Sequence, residues 1–227
     1  MTESFAGDSV SRGSANAAER PAPAIGVVPE GGRVGTYLFW AWWVGVAFFA
    51  VYPTMNWLTS LRSSPLRLYV PAELDVPFVP QFVWAYFSMY VLFVMPPFFL
   101  GAAQLPALGK QLVAGTLASG LLFLLFPAEL GFVRTVPTDA PYAGIYAAMF
   151  GVDRPYNLVP SLHIVFSTAI ALACADVARP AARAALLGWL AVIATSTIFV
   201  HQHHVLDVAA AFVLVIFLRR RYEVTHA

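Results

Sequence analysis

The segment FVHQHHVLDVAAAFVLVIFL, residues 199–218, changes character part-way along. Its second half is apolar enough to lie in lipid, whereas its first half gathers His201, His203, His204 and Asp207. Placing one ionisable side chain at the centre of a bilayer costs about 2.5–3.5 kcal/mol on insertion scales, so such groups belong at the rim of a span or serve a function. The three arginines 219–221 close the apolar half on its far side. The segment therefore reads as one membrane crossing, with imidazoles at one end and guanidinium groups at the other.

The rest of the chain supports that reading. Of 227 residues, 59% are hydrophobic and 11% charged, and the mean hydropathy is +0.72. A soluble domain carries about 25% charged residues. The composition predicts an all-α polytopic membrane protein, in which every backbone polar group in lipid is satisfied within its own helix. The formal net charge of +1 says little about partners, and no nucleic-acid partner is expected. Cys174 is the sole cysteine, which excludes an intrachain disulfide.

Residues 1–34 are rich in Ala, Gly, Ser, Pro and Glu and read as a disordered cytoplasmic tail. Six spans are predicted within 35–221: 37–52, 80–100, 108–126, 158–178, 182–200 and 203–218. Each approaches the ~20 residues needed to cross ~30 Å of hydrocarbon. Residues 222–227 form a short cytoplasmic tail. Two connections are long, 53–79 and 127–157, and the second contains AGIYAAMFG (143–151), a candidate interfacial helix. With the N-terminus in the cytoplasm, nine basic residues lie inside: Arg12, Arg20, Arg33, Lys110, Arg179, Arg183 and 219–221. Only four lie outside, Arg62, Arg67, Arg134 and Arg154, and this asymmetry sets the orientation. Both long loops and FVHQHHVLDV then face the exterior.

That topology gathers distant residues at one rim. Ser161 and His163 open the fourth span and His203 and Asp207 open the sixth, while the 127–157 loop brings Arg134 and Arg154 to the same level. A helical spacing of four puts His203 and Asp207 on one face, so the carboxylate can fix the tautomer of the ring. His163 supplies a second imidazole in the complementary role of acid. The helix N-terminus at Ser161 and the Arg134 guanidinium suit a phosphate. Arg154 competes with Arg134 for that duty, although Asp153 beside it can neutralise it. His201 offers a partial charge, and His204, turned about 100° from His203 on a helix, reads as an interfacial residue.

PSLH (160–163), with Ser196-Thr197 and then His203 and Asp207 at the spacing S-T-x5-H-x3-D, resembles the type 2 phosphatidic acid phosphatase superfamily. The usual motifs there are KxxxxxxRP, PSGH and SRxxxxxHxxxD. DRPYNLVPSLH (153–163) and VHQHHVLDV (200–208) are most similar to the PSLH branch, with its bacterial lipid phosphatases and inositol phosphorylceramide synthases. The resemblance covers roughly residues 37 to 220. It implies a six-helix bundle of phosphatase/haloperoxidase type, no cofactor, and an active site on the outer side of a bacterial plasma membrane. It further implies His203 as the nucleophile that forms a phosphohistidine, Asp207 as its orienting group, His163 as the acid, and Ser161 as a phosphate ligand, with a phosphorylated lipid as substrate and no metal. The chain departs from the pattern in four places: Thr197 stands at the arginine of the third motif, His201 at the branch's common lysine, Ala211 at a frequent glycine, and no KxxxxxxRP occurs.

Hydrolase and phosphotransferase share the first half-reaction and differ in whether water or an alcohol resolves the phosphoenzyme; the phosphatase is the leading expectation. Two readings of other classes stay open. His201, His203, Asp207 and His163 offer nitrogen and oxygen ligands for a metal-dependent hydrolase. Intramembrane ionisable groups also occur in transporters, although here they collect at one rim.

Overall fold

A computed structural model describes residues 32–139 and 141–223. The elements are α1 (Gly32–Ser60), α2 (Val83–Phe87), α3 (Met89–Val94), α4 (Pro96–Phe99), α5 (Leu105–Leu125), α6 (Tyr142–Val152), α7 (Leu162–Val177), α8 (Pro180–Phe199) and α9 (Val205–Arg221). No strand occurs among the described residues, only an isolated bridge between Leu66 and Ala128. The expected tail lies outside the described residues as far as position 31, and Gly32 already begins α1.

Three helices, α1, α5 and α8, are long and apolar enough to cross a membrane. The remaining elements depart from the expected spans for local reasons. Segment 80–100 is not one helix: after a 3-10 turn at Pro80–Phe82 it breaks into α2, α3 and α4. Pro96 has no N–H to offer the Leu92 carbonyl, which accepts from Met95 instead, and the helix restarts at the proline. Helix α1 runs through Pro53 for two further turns, so the first long loop starts at Leu61 rather than at 53. Helix α6 covers the segment expected as a short helix, 143–151. Helices α7 and α9 have 16 and 17 residues.

Helix α7 is the axis of the bundle. Its sequence LHIVFSTAIALACADV alternates large side chains with Ala, Ser and Thr, which lets neighbouring backbones approach closely. It packs against α5, α8 and α9 and against the broken second segment. Helix α1 lies against α5, where Gly109 sits under the Trp40 ring and Gly120 under Val51; a Cβ at either position would fall 2.5 or 2.4 Å from those side chains. The opposite face of α1 presents Trp42, Phe49 and Trp57 outward, as a lipid-facing helix does.

Candidate active site

The turn between α8 and α9 positions the central histidine. The Thr197 carbonyl accepts the N–H groups of both Gln202 and His203, and His201 takes the left-handed conformation at φ 56°. A non-glycine residue there costs about 1–2 kcal/mol, and the tight reversal it permits aims the next three residues back into the bundle. His203 therefore precedes α9 instead of lying on it, which corrects the expectation of a shared helical face. His204 is the N-cap and Asp207 the third helical residue. The Asp207 Oδ2 atom accepts from the His204 backbone N–H at 2.9 Å and from the His203 ring Nδ1 at 3.1 Å. The carboxylate thus caps the helix and orients the imidazole at once.

The same aspartate ties the two helix entrances together, because its main-chain carbonyl accepts the Ser161 N–H at 3.1 Å. Ser161 is the N-cap of α7 and its hydroxyl accepts the Ile164 N–H. The first N–H groups of α7 have no acceptor within the helix, as at any helix start. Two residues on, His163 turns its Nδ1 toward His203 Nε2 at 3.3 Å and its Nε2 toward the Tyr86 hydroxyl at 2.7 Å.

Proton positions follow from the acceptor-only end of this series. Ionised Asp207 can only accept, so His203 carries its proton on Nδ1 and presents a lone pair at Nε2. His163 then donates from Nδ1, and its Nε2 accepts from Tyr86. His203 and Asp207 are 3% and 1% exposed. His163 is partly exposed and lines a cleft of about 970 Å³ that lies among α1, the second segment, α5, α6 and α7. Aromatic and aliphatic side chains form most of its wall, among them Trp40, Phe48, Phe93 and Phe166. Its polar end holds Asp153, Arg154, Tyr52 and Asn56 with His163.

Arg134 reaches the same region. One terminal nitrogen donates to the Asp153 carbonyl, the other to Gln202 Oε1 at 3.4 Å, and the guanidinium lies over the Phe150 ring. Burial pulls its pKa below the ordinary arginine value, against the opposing charge of Asp153. Its Nε and the Gln202 Nε2 are buried with no acceptor among the described residues. Two neighbouring buried donors without acceptors suit an anion.

Arg154 does not form the expected pair with Asp153: its side chain is exposed, and the Asp153 carboxylate accepts from the Tyr52 hydroxyl at 2.6 Å. His201 is held away from His203, with its Nε2 donating to the Val76 carbonyl and its ring stacked on Phe132 at 4.0 Å. His204 is not interfacial but 1% exposed. Its Nδ1 faces Glu73 at 3.2 Å, its Nε2 accepts the Gly131 N–H at 3.2 Å, and its ring lies between Tyr69 and Phe132. Burial lowers the His204 pKa, although Asp207 and Glu73 pull upward. The His204 expectation failed because it assumed that the helix began at 203.

Tyr86, Gln202, Tyr52 and Glu73 were absent from the expected site. Tyr86 sits in FVWAYFSMY, a run that reads as aromatic packing, and nothing in its spacing separates it from its neighbours. Among the described residues no group of three His, Cys, Asp or Glu side chains is arranged to hold a metal ion. No family model, no curated protein and no solved structure matches the chain.

Proposed function

We propose that the protein is a membrane enzyme that cleaves a phosphoester of a lipid through a phosphohistidine on His203. The observation that carries this reading is the ordered contact of Asp207, His203 and His163, which brings a lone pair and an N–H face to face beside a large apolar cleft. The resting 3.3 Å contact must open to admit a phosphoryl group. Once it opens, the His203 Nε2 lone pair points at phosphorus and the His163 Nδ1–H at the leaving oxygen. Arg134 Nε, Gln202 Nε2 and the start of α7 supply donors for the non-bridging oxygens, whose charge is best stabilised by groups already in place. The cleft takes the hydrocarbon portion, since lipid chains match its wall and a polar solute does not.

The wider setting belongs to the same proposal. The bundle crosses the membrane six times, counting the broken segment, α7 and α9, with the N-terminus inside by the distribution of Lys and Arg. The reaction centre then faces the outer side of a bacterial plasma membrane. Water completes the hydrolysis; an alcohol in its place would give a phosphotransferase from the same intermediate.

The test is purified protein in lipid nanodiscs, assayed on a panel of lipid phosphates for released phosphate and for acid-labile phosphoprotein. His203→Ala is expected to lower turnover by at least about 10⁴-fold, the scale on which a nucleophile acts with its partners. Full activity in that variant would sink the assignment. Loss of activity in a chelator and its return with a divalent cation would favour the metal-dependent reading instead.

A further inference from the structure

The hydrogen-bond series does not stop at His163. Tyr86, 2% exposed on the short helix α2, places its hydroxyl 2.7 Å from the far ring nitrogen of that histidine. The rings are 5.1 Å apart and tilted by 53°, so the contact is made by the hydroxyl and not by stacking. Among the described residues that hydroxyl has no other hydrogen-bond partner.

We propose that Tyr86 is a positioning residue for proton transfer: its hydroxyl holds Nε2 of His163 and keeps Nδ1 aimed at the reacting oxygens throughout the cycle. The role rests on the phosphohistidine reading above. A phenol suits it because one oxygen both donates and accepts, by rotation about the C–O bond. In the resting protein Tyr86 donates to Nε2, which leaves the His163 proton on Nδ1.

When a phosphoester enters with its own proton, that proton passes to the Tyr86 oxygen, which lines the cleft, as Tyr86 hands its own proton to Nε2; His163 becomes an imidazolium and Tyr86 now accepts from Nε2–H. The His203 Nε2 lone pair then forms the N–P bond. The P–O ester bond breaks and its electron pair leaves with the alcohol oxygen, which takes the Nδ1 proton of His163. The ring that remains is neutral, with its proton on Nε2 held by Tyr86 and a lone pair on Nδ1. That lone pair removes a proton from water as the new O–P bond forms and the N–P bond breaks, which restores the imidazolium. The Nε2 proton passes back through Tyr86 to the departing phosphate, which leaves as dihydrogen phosphate, and His163 returns to its resting neutral form with the proton on Nδ1. A carboxylate in place of Tyr86 would hold the imidazolium too firmly to release its proton, and phenylalanine would let the ring choose its tautomer freely.

The test compares Tyr86→Phe with the unaltered full-length protein on two phosphomonoesters, one with an alkyl lipid alcohol as leaving group and one with an acidic phenol. An alkoxide needs its proton in the transition state, whereas an acidic phenolate leaves without one. Tyr86→Phe is expected to lower kcat about 30-fold on the alkyl ester, less than the ~10²–10⁴-fold that a general acid itself contributes, and far less on the aryl ester, with KM little changed. In a His163→Asn background the same substitution is expected to cost nothing further, which also separates the role from a packing defect. Equal losses on both esters, or a full additional loss in the His163→Asn background, would overturn the role of Tyr86 while leaving the phosphohistidine intact. If the unaltered protein labels no histidine and turns over neither ester, the function reading falls, and this role with it.

Discussion

Asp207 shows how much one residue can organise. Its carboxylate orients His203 and caps α9, and its carbonyl holds the first turn of α7. An amide at this position can still accept but can also donate, which admits the wrong tautomer of His203. Asp207→Asn is therefore expected to lower kcat about 10²–10⁴-fold with a small change in KM, measured on the substrate that the nanodisc panel identifies. Arg134 makes a different case. Its planar fork meets the Asp153 carbonyl and Gln202 together while leaving Nε free, a geometry that a lysine cannot reproduce. Arg134→Lys is expected to raise KM about tenfold, and unchanged KM and kcat would remove Arg134 from the anion site. These two residues were legible in advance to different degrees. Asp207 follows from a short motif, whereas the sequence leaves Arg134 and Arg154 as competitors, and only the path of the 127–157 loop brings Arg134 against Gln202.

At the scale of elements, the turn before α9 is clamped by both long loops. Tyr69, His204, Phe132 and His201 stack in sequence, with neighbouring rings nearly parallel and centroids 4.0–4.5 Å apart. Glu73 accepts from Val70 N–H, Val205 N–H and His204 Nδ1. Burial by itself would raise the Glu73 pKa, but the two backbone donors and His204 outweigh it and hold the group below its ordinary range. Both His201 and His204 are shifted downward, chiefly by burial. A second proton on His204 would also set Nε2–H against the Gly131 N–H. Between the folded values and the unfolded value of about 6.5, the unfolded chain binds more protons. Stability contributed by the clamp is thus complete above about pH 6.5 and declines as the pH falls below it, with Glu73 adding a further loss at stronger acidity. Thermal unfolding in detergent at pH 8, 6 and 5 is expected to show that decline. His204→Gln, which keeps one donor and one acceptor but cannot titrate, should flatten the part between pH 6.5 and 5. An unchanged slope would show that His204 does not set it. None of this was visible in the sequence, because Glu73 and His204 are 131 positions apart and neither belongs to a recognisable pattern.

For the whole molecule, the cleft depends on how α1 is seated on α5. Glycines at 109 and 120 let the helices approach, and Trp40 covers the first of them at the cleft wall. Gly109→Val is expected to destabilise the protein by about 1–3 kcal/mol through overpacking, read as a lowered Tm, and to disturb lipid substrates more than short water-soluble esters. The amino-acid sequence alone determined the membrane class, the helical content, the approximate places of α5, α6 and α8, and the gathering of histidines at one end of an apolar segment. Those features are sums over neighbouring residues, and hydrophobic length and composition suffice to read them. Only the tertiary structure decided that the second segment is broken, that His203 stands before α9, that Arg134 bonds Gln202 while His201 turns away to the Val76 carbonyl, and that Tyr86 touches His163 across 77 positions. A proton's direction depends on which acceptor lies within about 3 Å. That distance is settled when separate helices and loops pack together, and no local pattern encodes it.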